Sequence, residues 1–500
     1  MKRLILRLKL RLKRWVAFGA SAGGRPRDQA DRNTNRELVA LAWPIATAML
    51  GDTLMGLVDT KLVGHLGSAS LGGVGIATVF FFLIYAIVFG LVRGVKIRVA
   101  YAVGGDRLED AARYVHAGLF LSAIAGVIAF VLGRDVSWAL SALSVDPEIV
   151  APARAFLAAI TFGSPATCML AALVQHRQAI GDSRTPMIVG LAGNAFNAVL
   201  AYSMIYGKLG LPALGVVGCG YATAITQWIE LAALLTLFVL QAKPKRKSVL
   251  SFRAALREVA ELGVPTGAQF GFEMLAFTAF TAILGNIGKA QIAAHMIALN
   301  TIRASFLPGV AIGEAASVMV GVALGSRMLA RERLAEADRI TRAALRVAIT
   351  FMAMCGVVFA LFGGTIAALF TDDVAVLVVA RKLLLIAAVF QVLDAVNIVL
   401  RGALRGAKDV RVVAFLGITI VWTCIPTAAF VLGKVLGWGA IGGWCGFIAE
   451  TTLSAILFGR RWARGAWRAK VRDVVPPETE ITPEMTPEMT KEEVSKAAAA

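Results

Sequence analysis

Residues 66–78 read LGSASLGGVGIAT, and residues 287–299 read IGKAQIAAHMIAL. Each opens on a glycine turn and continues into small and apolar residues, and Leu66 and Ile287 lie 221 positions apart. The same offset carries Gly104 in AYAVGG onto Gly325 in GVALGS. Further along, Gly181 in RQAIGDSRTP aligns with Gly406 in GALRGAKDVR at an offset of 225, and Gly215 in LGVVGCGYA with Gly439 in WGAIGGWCGF at 224. One structural unit is therefore written twice in this chain.

What the unit is follows from the residues around these landmarks. Of the 500 residues, 58% are hydrophobic, and the mean hydropathy is +0.73. A soluble chain of this length would divide into domains with polar surfaces. Here apolar runs recur instead, each long enough to cross about 30 Å of hydrocarbon as a helix. Twelve spans are expected, near 39–63, 71–97, 113–133, 149–173, 186–206, 214–240, 260–285, 291–322, 341–363, 374–400, 410–433 and 438–459. The fold class is an all-α polytopic membrane protein. Six spans per half is an even number, so both halves insert in the same orientation, related by a pseudo-twofold axis along the membrane normal. Two six-helix bundles with a cleft between them is a common plan for secondary transporters, and it names no substrate.

The formal net charge of +19 would suggest nucleic acid in a soluble protein. Here Lys and Arg crowd alternate loops: GGDRLEDAARYVH, QHRQAIGDSRTP, QAKPKRKSVLSFRAALRE, GSRMLARERLAEADRITRAALR and RGALRGAKDVR. The intervening loops GHLGSAS, YGKLGLPALG, GNIGKAQ and GKVLGWG are short and nearly uncharged. The positive-inside rule explains this without nucleic acid and places both termini in the cytoplasm. The expected organisation is a basic leader (1–36), an N-terminal lobe (37–240), a cytoplasmic linker (241–258), a C-terminal lobe (259–460) and a disordered acidic tail with a TPEM repeat (461–500). The leader has no continuous apolar core and is not a secretory signal; a transit peptide has a similar look. A bacterial plasma membrane is the expected location.

The five cysteines stand singly in apolar segments and read as packing residues. The four histidines do not cluster, and no HExxH, GxSxG or GxxxxGK[ST] pattern appears, so neither an enzyme, a cofactor nor ATP coupling is expected.

Three acids sit deep in apolar spans: Asp59 in LMGLVDTKLVG, Glu273 in FGFEMLAF and Asp394 in FQVLDAVNIVL. A carboxylate near a bilayer centre costs at least about 2.5–3.5 kcal/mol. The repeat asks whether the scaffold needs them. Asp59 plus 221 is Phe280, and Asp394 minus 225 is Met169. Only Glu273 has an acidic counterpart, Asp52, which lies two helical turns before Asp59, about 10 Å along the same face. Intramembrane carboxylates mark ion or proton paths; one alone takes a proton, and a close pair can hold Na⁺. Glu230 and Glu450 read as paired structural acids. Arg93, Lys96, Arg98, Arg401 and Arg405 lie near span ends and read as snorkelling anchors. Arg303 and Glu314 receive no role.

Residues 37–460 resemble the multidrug and toxic compound extrusion (MATE) transporters. LAWPIATAMLGDTLMGLVDTKLVGHLG looks like the family's first helix, with its acid at Asp59. GNAFNAVLAYSMIYG and PALGVVGCGYAT look like the fifth and sixth helices, and FGFEMLAF and VLDAVNIVLRGALRGAKD like the seventh and tenth of the NorM-like branch. The resemblance implies antiport: organic cations and drugs leave the cytoplasm against Na⁺ or H⁺. It assigns ion coupling to Glu273, Asp394 and Asp59, with Asn197, Thr223 and Asp52 in a supporting N-lobe site and Na⁺ at Glu273 and Asp394. It also implies small-molecule substrates, contact with membrane lipids and a monomer. Two departures stand out. Ala201 replaces an Asp that many relatives carry, and the usually neutral late second helix is LVRGVKIRVAYAVGG. That basic stretch keeps a lipid or lipid-linked oligosaccharide flippase of the same superfamily as the alternative.

Overall fold

The computed structural model describes residues 27–134, 147–241 and 248–472. Twelve helices are long and apolar enough to cross a membrane, and no strand occurs among the described residues. The first six are α1 (Arg27–Gly64), α2 (Ser68–Gly104), α3 (Leu108–Arg134), α4 (Glu148–Ala179), α5 (Arg184–Tyr206) and α6 (Val216–Gln241). The second six are α7 (Phe252–Ile287), α8 (Lys289–Gly325), α9 (Ala330–Ala368), α10 (Val374–Gly406), α11 (Val410–Val435) and α12 (Gly439–Ala463). Helix α1 starts inside the stretch read as leader, and α7 inside the stretch read as linker. The remaining leader (1–26), the linker centre (242–247) and the tail from 473 lie outside the described residues.

The duplication is visible in the helices themselves. Helices α2 and α8 are both 37 residues long, and they start 221 positions apart. Pro44 in α1 and Pro265 in α7 keep that offset. Gly215 and Gly439, which precede or open α6 and α12, have φ of +55° and +62°.

One alignment needs correction. After α4, the amide N–H groups of Ile180, Gly181 and Asp182 donate to the carbonyls of His176, Gln178 and Arg177. After α10, those of Ala407, Lys408 and Asp409 donate to Ala403, Arg405 and Leu404 in the same pattern. Gly181 and Lys408 are the left-handed residues, at φ +78° and +62°. The equivalent of Gly181 is therefore Lys408, at an offset of 227, not Gly406. The equivalent of Asp394 becomes Thr167, which is still not an acid.

The lobes meet through α1 and α2 on one side and α7 and α8 on the other. Helices α2 and α7 run antiparallel at backbone contact. A Cβ on Gly94 would lie 2.2 Å from the carbonyl oxygen of Val259, and one on Gly263 2.1 Å from that of Leu91. The ends of α2 and α8 also touch: a Cβ on Gly104 would lie 2.1 Å from the Val322 oxygen, and one on Gly325 2.4 Å from the Tyr101 oxygen. Gly104 and Gly325 are repeat equivalents. Equivalents touch only near their symmetry axis, so the pseudo-twofold passes between them.

Burial follows this contact. From Val88 to Gly105, α2 is buried except for the partly open Phe89, Leu91 and Arg98. Helix α8 is buried from Ala311 through Gly325. Their first halves are mixed buried and exposed. The lobes are thus sealed at the end carrying the basic loops.

Candidate functional site

Each lobe carries its own acids within the spans, buried in the C-lobe and partly or fully open in the N-lobe. In the C-lobe, Glu273 of α7 sits one turn after Gln269, whose Nε2 donates to Glu273 Oε1 at 2.8 Å. Arg401 of α10 donates to the same oxygen. Arg405, one turn further along α10, donates from Nη2 to Gln269 Oε1 at 3.1 Å. Guanidinium, amide, carboxylate and guanidinium thus form one side-chain hydrogen-bond chain between α7 and α10.

Asp394 lies seven residues before Arg401 on α10. The Nδ2 of Asn397 reaches both Asp394 Oδ1 and Glu450 Oε1 of α12, at 3.4 Å each. Ser454 donates to Glu450 Oε1 at 3.0 Å. All of these acids are buried. Arg401 interacts electrostatically with Glu273, Glu450 and Asp394. It is the cation that links the two predicted C-lobe acids, which make no direct bond to each other.

In the N-lobe, Asp59 of α1 lies beside the Asn197 side chain of α5. Its Oδ1 is buried without a partner. Thr226 of α6 approaches Asn197 Oδ1 at 3.5 Å. The expected Thr223 spends its hydroxyl on the Cys219 carbonyl of its own helix, at 3.2 Å. One tier away, Asn194 donates to Asp52 at 3.1 Å, and Glu230 interacts electrostatically with Asp52. Asp59 and Asn197 are together, as are Asp52 and Asn194. Both groups lie in a different lobe from Glu273 and Asp394.

The repeat equivalent of Asp59 is Phe280, which packs edge-on against His295 and Phe447, with ring centroids 5.1 and 5.3 Å away. Trp444 Nε1 donates to His295 Nδ1 at 3.1 Å and closes the cluster. Where the N-lobe places a carboxylate, the C-lobe places aromatic packing.

The basic residues of α2 are not snorkelling. Arg93 and Lys96 point inward and are 5% and 2% exposed. Both bind Glu314 of α8, Arg93 at Oε1 and Lys96 Nζ at Oε2, the latter at 2.5 Å. Arg98 is half-open and bridges to Glu258 of α7 at 3.0 Å, where Tyr114 of α3 also donates at 2.5 Å. Arg401 and Arg405 are likewise internal. Buried cations need paired acids, and here the partner comes from the other half of the chain. Glu314, which carried no role in the sequence, is the buried acid that pairs with two cations of the other lobe.

No group of three or more His, Cys, Asp or Glu positioned for a metal ion occurs among the described residues. For a small hard cation, the best oxygen set is Asp394, Glu450 and Asn397, whose Oδ1 is buried and unpartnered. Glu273, expected as a Na⁺ ligand, already holds a guanidinium.

The MatE family model matches residues 44–203 and 265–430. This chain belongs to the MATE family. It is 29% identical over 439 residues to the multidrug resistance protein MdtK of Proteus mirabilis, covering 85% of this chain and 94% of that protein. It is 30% identical over 433 residues to the multidrug resistance protein NorM of Aliivibrio fischeri, covering 84% and 92%. Its fold is that of a MATE family multidrug resistance transporter of the MOP superfamily solved in an outward-facing conformation. That likeness has a TM-score of 0.78 at 22% identity and covers 89% of this chain and 97% of the other. The MATE match spans both lobes, including Asp59, Asn197, Glu273, Glu314 and Asp394.

Proposed function

We propose that this MATE protein is a secondary multidrug efflux transporter that exchanges drug-like molecules from the cytoplasm for protons. The observation that carries this is the combination of acids housed separately within the spans of the two lobes with lobes sealed at one end only. If the basic end is cytoplasmic, the sealed state is outward-open.

Two features favour the proton over Na⁺. Glu273 is already matched by Arg401, so a second cation there would have to displace a tethered one. Asp59 has the Asn197 amide beside it and one buried oxygen without a hydrogen-bond partner, and it has no ion pair among the described residues. A lone carboxylate of that kind is suited to gaining and losing a proton. Proton binding at Asp59 would then favour one lobe arrangement and cargo the other, and each ligand drives the other through differential affinity.

The test is ethidium efflux from proteoliposomes under imposed pH and Na⁺ gradients, varied separately. Efflux driven by the pH gradient supports the proposal; efflux driven only by Na⁺ moves the coupling to the Asp394–Asn397–Glu450 group. The flippase alternative draws on the buried cations Arg93, Lys96 and Arg405, which suit a phosphate headgroup. Headgroup translocation in the same liposomes, without organic-cation efflux, would favour it.

A further inference from the structure

Arg303 lies near the middle of α8, and its side chain is exposed. It makes no ion pair among the described residues. Its direction follows from two residues of the same helix. Ser305, two positions on and so on the far side of α8, takes a hydrogen bond from Gln391 of α10, inside the C-lobe. Glu314, eleven positions on, is three turns further along the face that carries Arg303, and it bonds Arg93 and Lys96 of the N-lobe. Arg303 therefore faces the N-lobe, about 16 Å nearer the outer end than the Glu314 pairs.

Across the lobe boundary, α8 has α1 as a neighbour, and α1 carries Asp52. Its side chain is exposed; it accepts from Asn194 and makes no ion pair among the described residues. The repeat gives its depth. Gly67 and Gly288, which precede α2 and α8, are repeat equivalents, and an axis along the membrane normal sets them at one level. Asp52 comes twelve residues before the end of α1 at Gly64, and Arg303 fourteen after the start of α8 at Lys289. They lie about 18 and 21 Å below that level, whereas Asp59 lies more than two helical turns above Arg303.

The two lobes differ at this tier. The repeat equivalent of Asp52 is Glu273, which Arg401 of its own lobe already holds. The equivalent of Arg303 is Phe82. The N-lobe thus carries an acid without a cation, and the C-lobe a cation without an acid, at matching depth on neighbouring helices.

Resting on the efflux reading above, we propose that Arg303 and Asp52 are the outer lock of the transport cycle. They pair when the outer ends close and stand apart in the outward-open state. Opening the basic end breaks the Glu314 pairs and strands Arg93 and Lys96 within the membrane, which is strongly unfavourable. A new ion pair between Arg303 and Asp52 offsets part of that cost and keeps the two lobe arrangements close enough in free energy to exchange. Arg303 acts on transport as a positioning residue, through this equilibrium.

The test is a double-mutant cycle on the outer opening. Ser68 and Lys289 are exposed repeat equivalents at the outer starts of α2 and α8. Spin labels there, on a cysteine-free full chain in nanodiscs, read the opening as a distance. Every chain carries Glu314→Gln, which weakens the inner lock and populates the closed outer end. Two distances are expected, and Arg303→Gln or Asp52→Asn should each lower the ratio of short to long about tenfold. The two together should lower it no further than either alone, and Arg303→Lys should keep most of it.

A ratio unmoved by either change, losses that add in the double variant, or no short distance in the Glu314→Gln chain would overturn the proposal. A merely structural role for Arg303 gives losses that add. Gel filtration of each variant reports folding. Ethidium efflux under a pH gradient is scored separately: the lock can form without proton coupling, and coupling can hold without this pair, so failure of one reading is distinguishable from failure of the other.

Discussion

Lys96 of α2 and Glu314 of α8 meet at 2.5 Å, across two lobes and 218 residues of chain. With Arg93 on the other carboxylate oxygen, they form a buried lock at the sealed end. Its worth depends on both sides being present, because removing one partner of a buried pair leaves an uncompensated charge.

Glu314→Gln should therefore weaken lobe closure by about 3–5 kcal/mol. Spin labels at Arg107 and Arg331, on a cysteine-free background, would read this as a longer or broader distance across the basic end. Adding Lys96→Met and Arg93→Gln to Glu314→Gln should recover much of the loss, since the stranded cations are then gone. An unchanged distance in the single variant would mean that the lock carries no load.

Gly94 and Gly263 allow α2 and α7 to touch through backbone. Gly94→Ala would set a methyl 2.2 Å from the Val259 oxygen, so the helices must separate, at about 1–3 kcal/mol. Gly75→Ala on the same helix meets nothing within 4 Å and serves as the control. Thermal unfolding in detergent should separate the two. Equal midpoints would show that the seam is looser than the contact implies.

Arg401 occupies the place a coupling cation would take at Glu273. Wild-type transport under a fixed pH gradient should be indifferent to Na⁺. Arg401→Gln should make the rate respond to Na⁺, because Glu273 is then left without its guanidinium. A variant as indifferent as the wild type would remove Arg401 from this role.

Lys408, in the turn between α10 and α11, is pushed down to about 7, chiefly by burial, then by Arg98 and also Arg107, with Glu258 opposing. Its Nζ lies 3.9 Å from the Tyr101 ring centroid, a cation–π contact that also opposes the shift. An unfolded lysine keeps its proton to about 10.4. Between these values the unfolded chain binds more protons, so stability rises with pH. Below 7 the full penalty of burying the charge remains. Lys408→Met should flatten the unfolding midpoint between pH 7 and 10, and a slope equal to the wild type would contradict this.

The twelve spans and the twofold plan were legible because span length and repeated glycines are local signals. Glu314 was not legible. Its partners lie on α2, and a single chain gives no register between helices of opposite lobes. Arg93 and Lys96 looked like anchors because position along a helix does not say which face meets lipid. Arg401 could have been suspected: it is seven residues after Asp394 and four before Arg405, so all three share one face of α10. Thr226 was missed for Thr223 because residues three apart lie on nearly the same face of a helix, and only the packing of α6 decides which one reaches Asn197. The four-residue turn after α10 was misaligned because Lys408, not a glycine, takes the left-handed position.

The most direct test of exchange is proton release on cargo binding. Purified protein in weakly buffered detergent solution would be titrated with ethidium while pH is followed. If cargo and proton exclude each other through Asp59, the wild type releases about one proton per bound molecule, and Asp59→Asn releases none while still binding. Equal release from both would place the proton elsewhere, and no release from the wild type would contradict proton-coupled exchange.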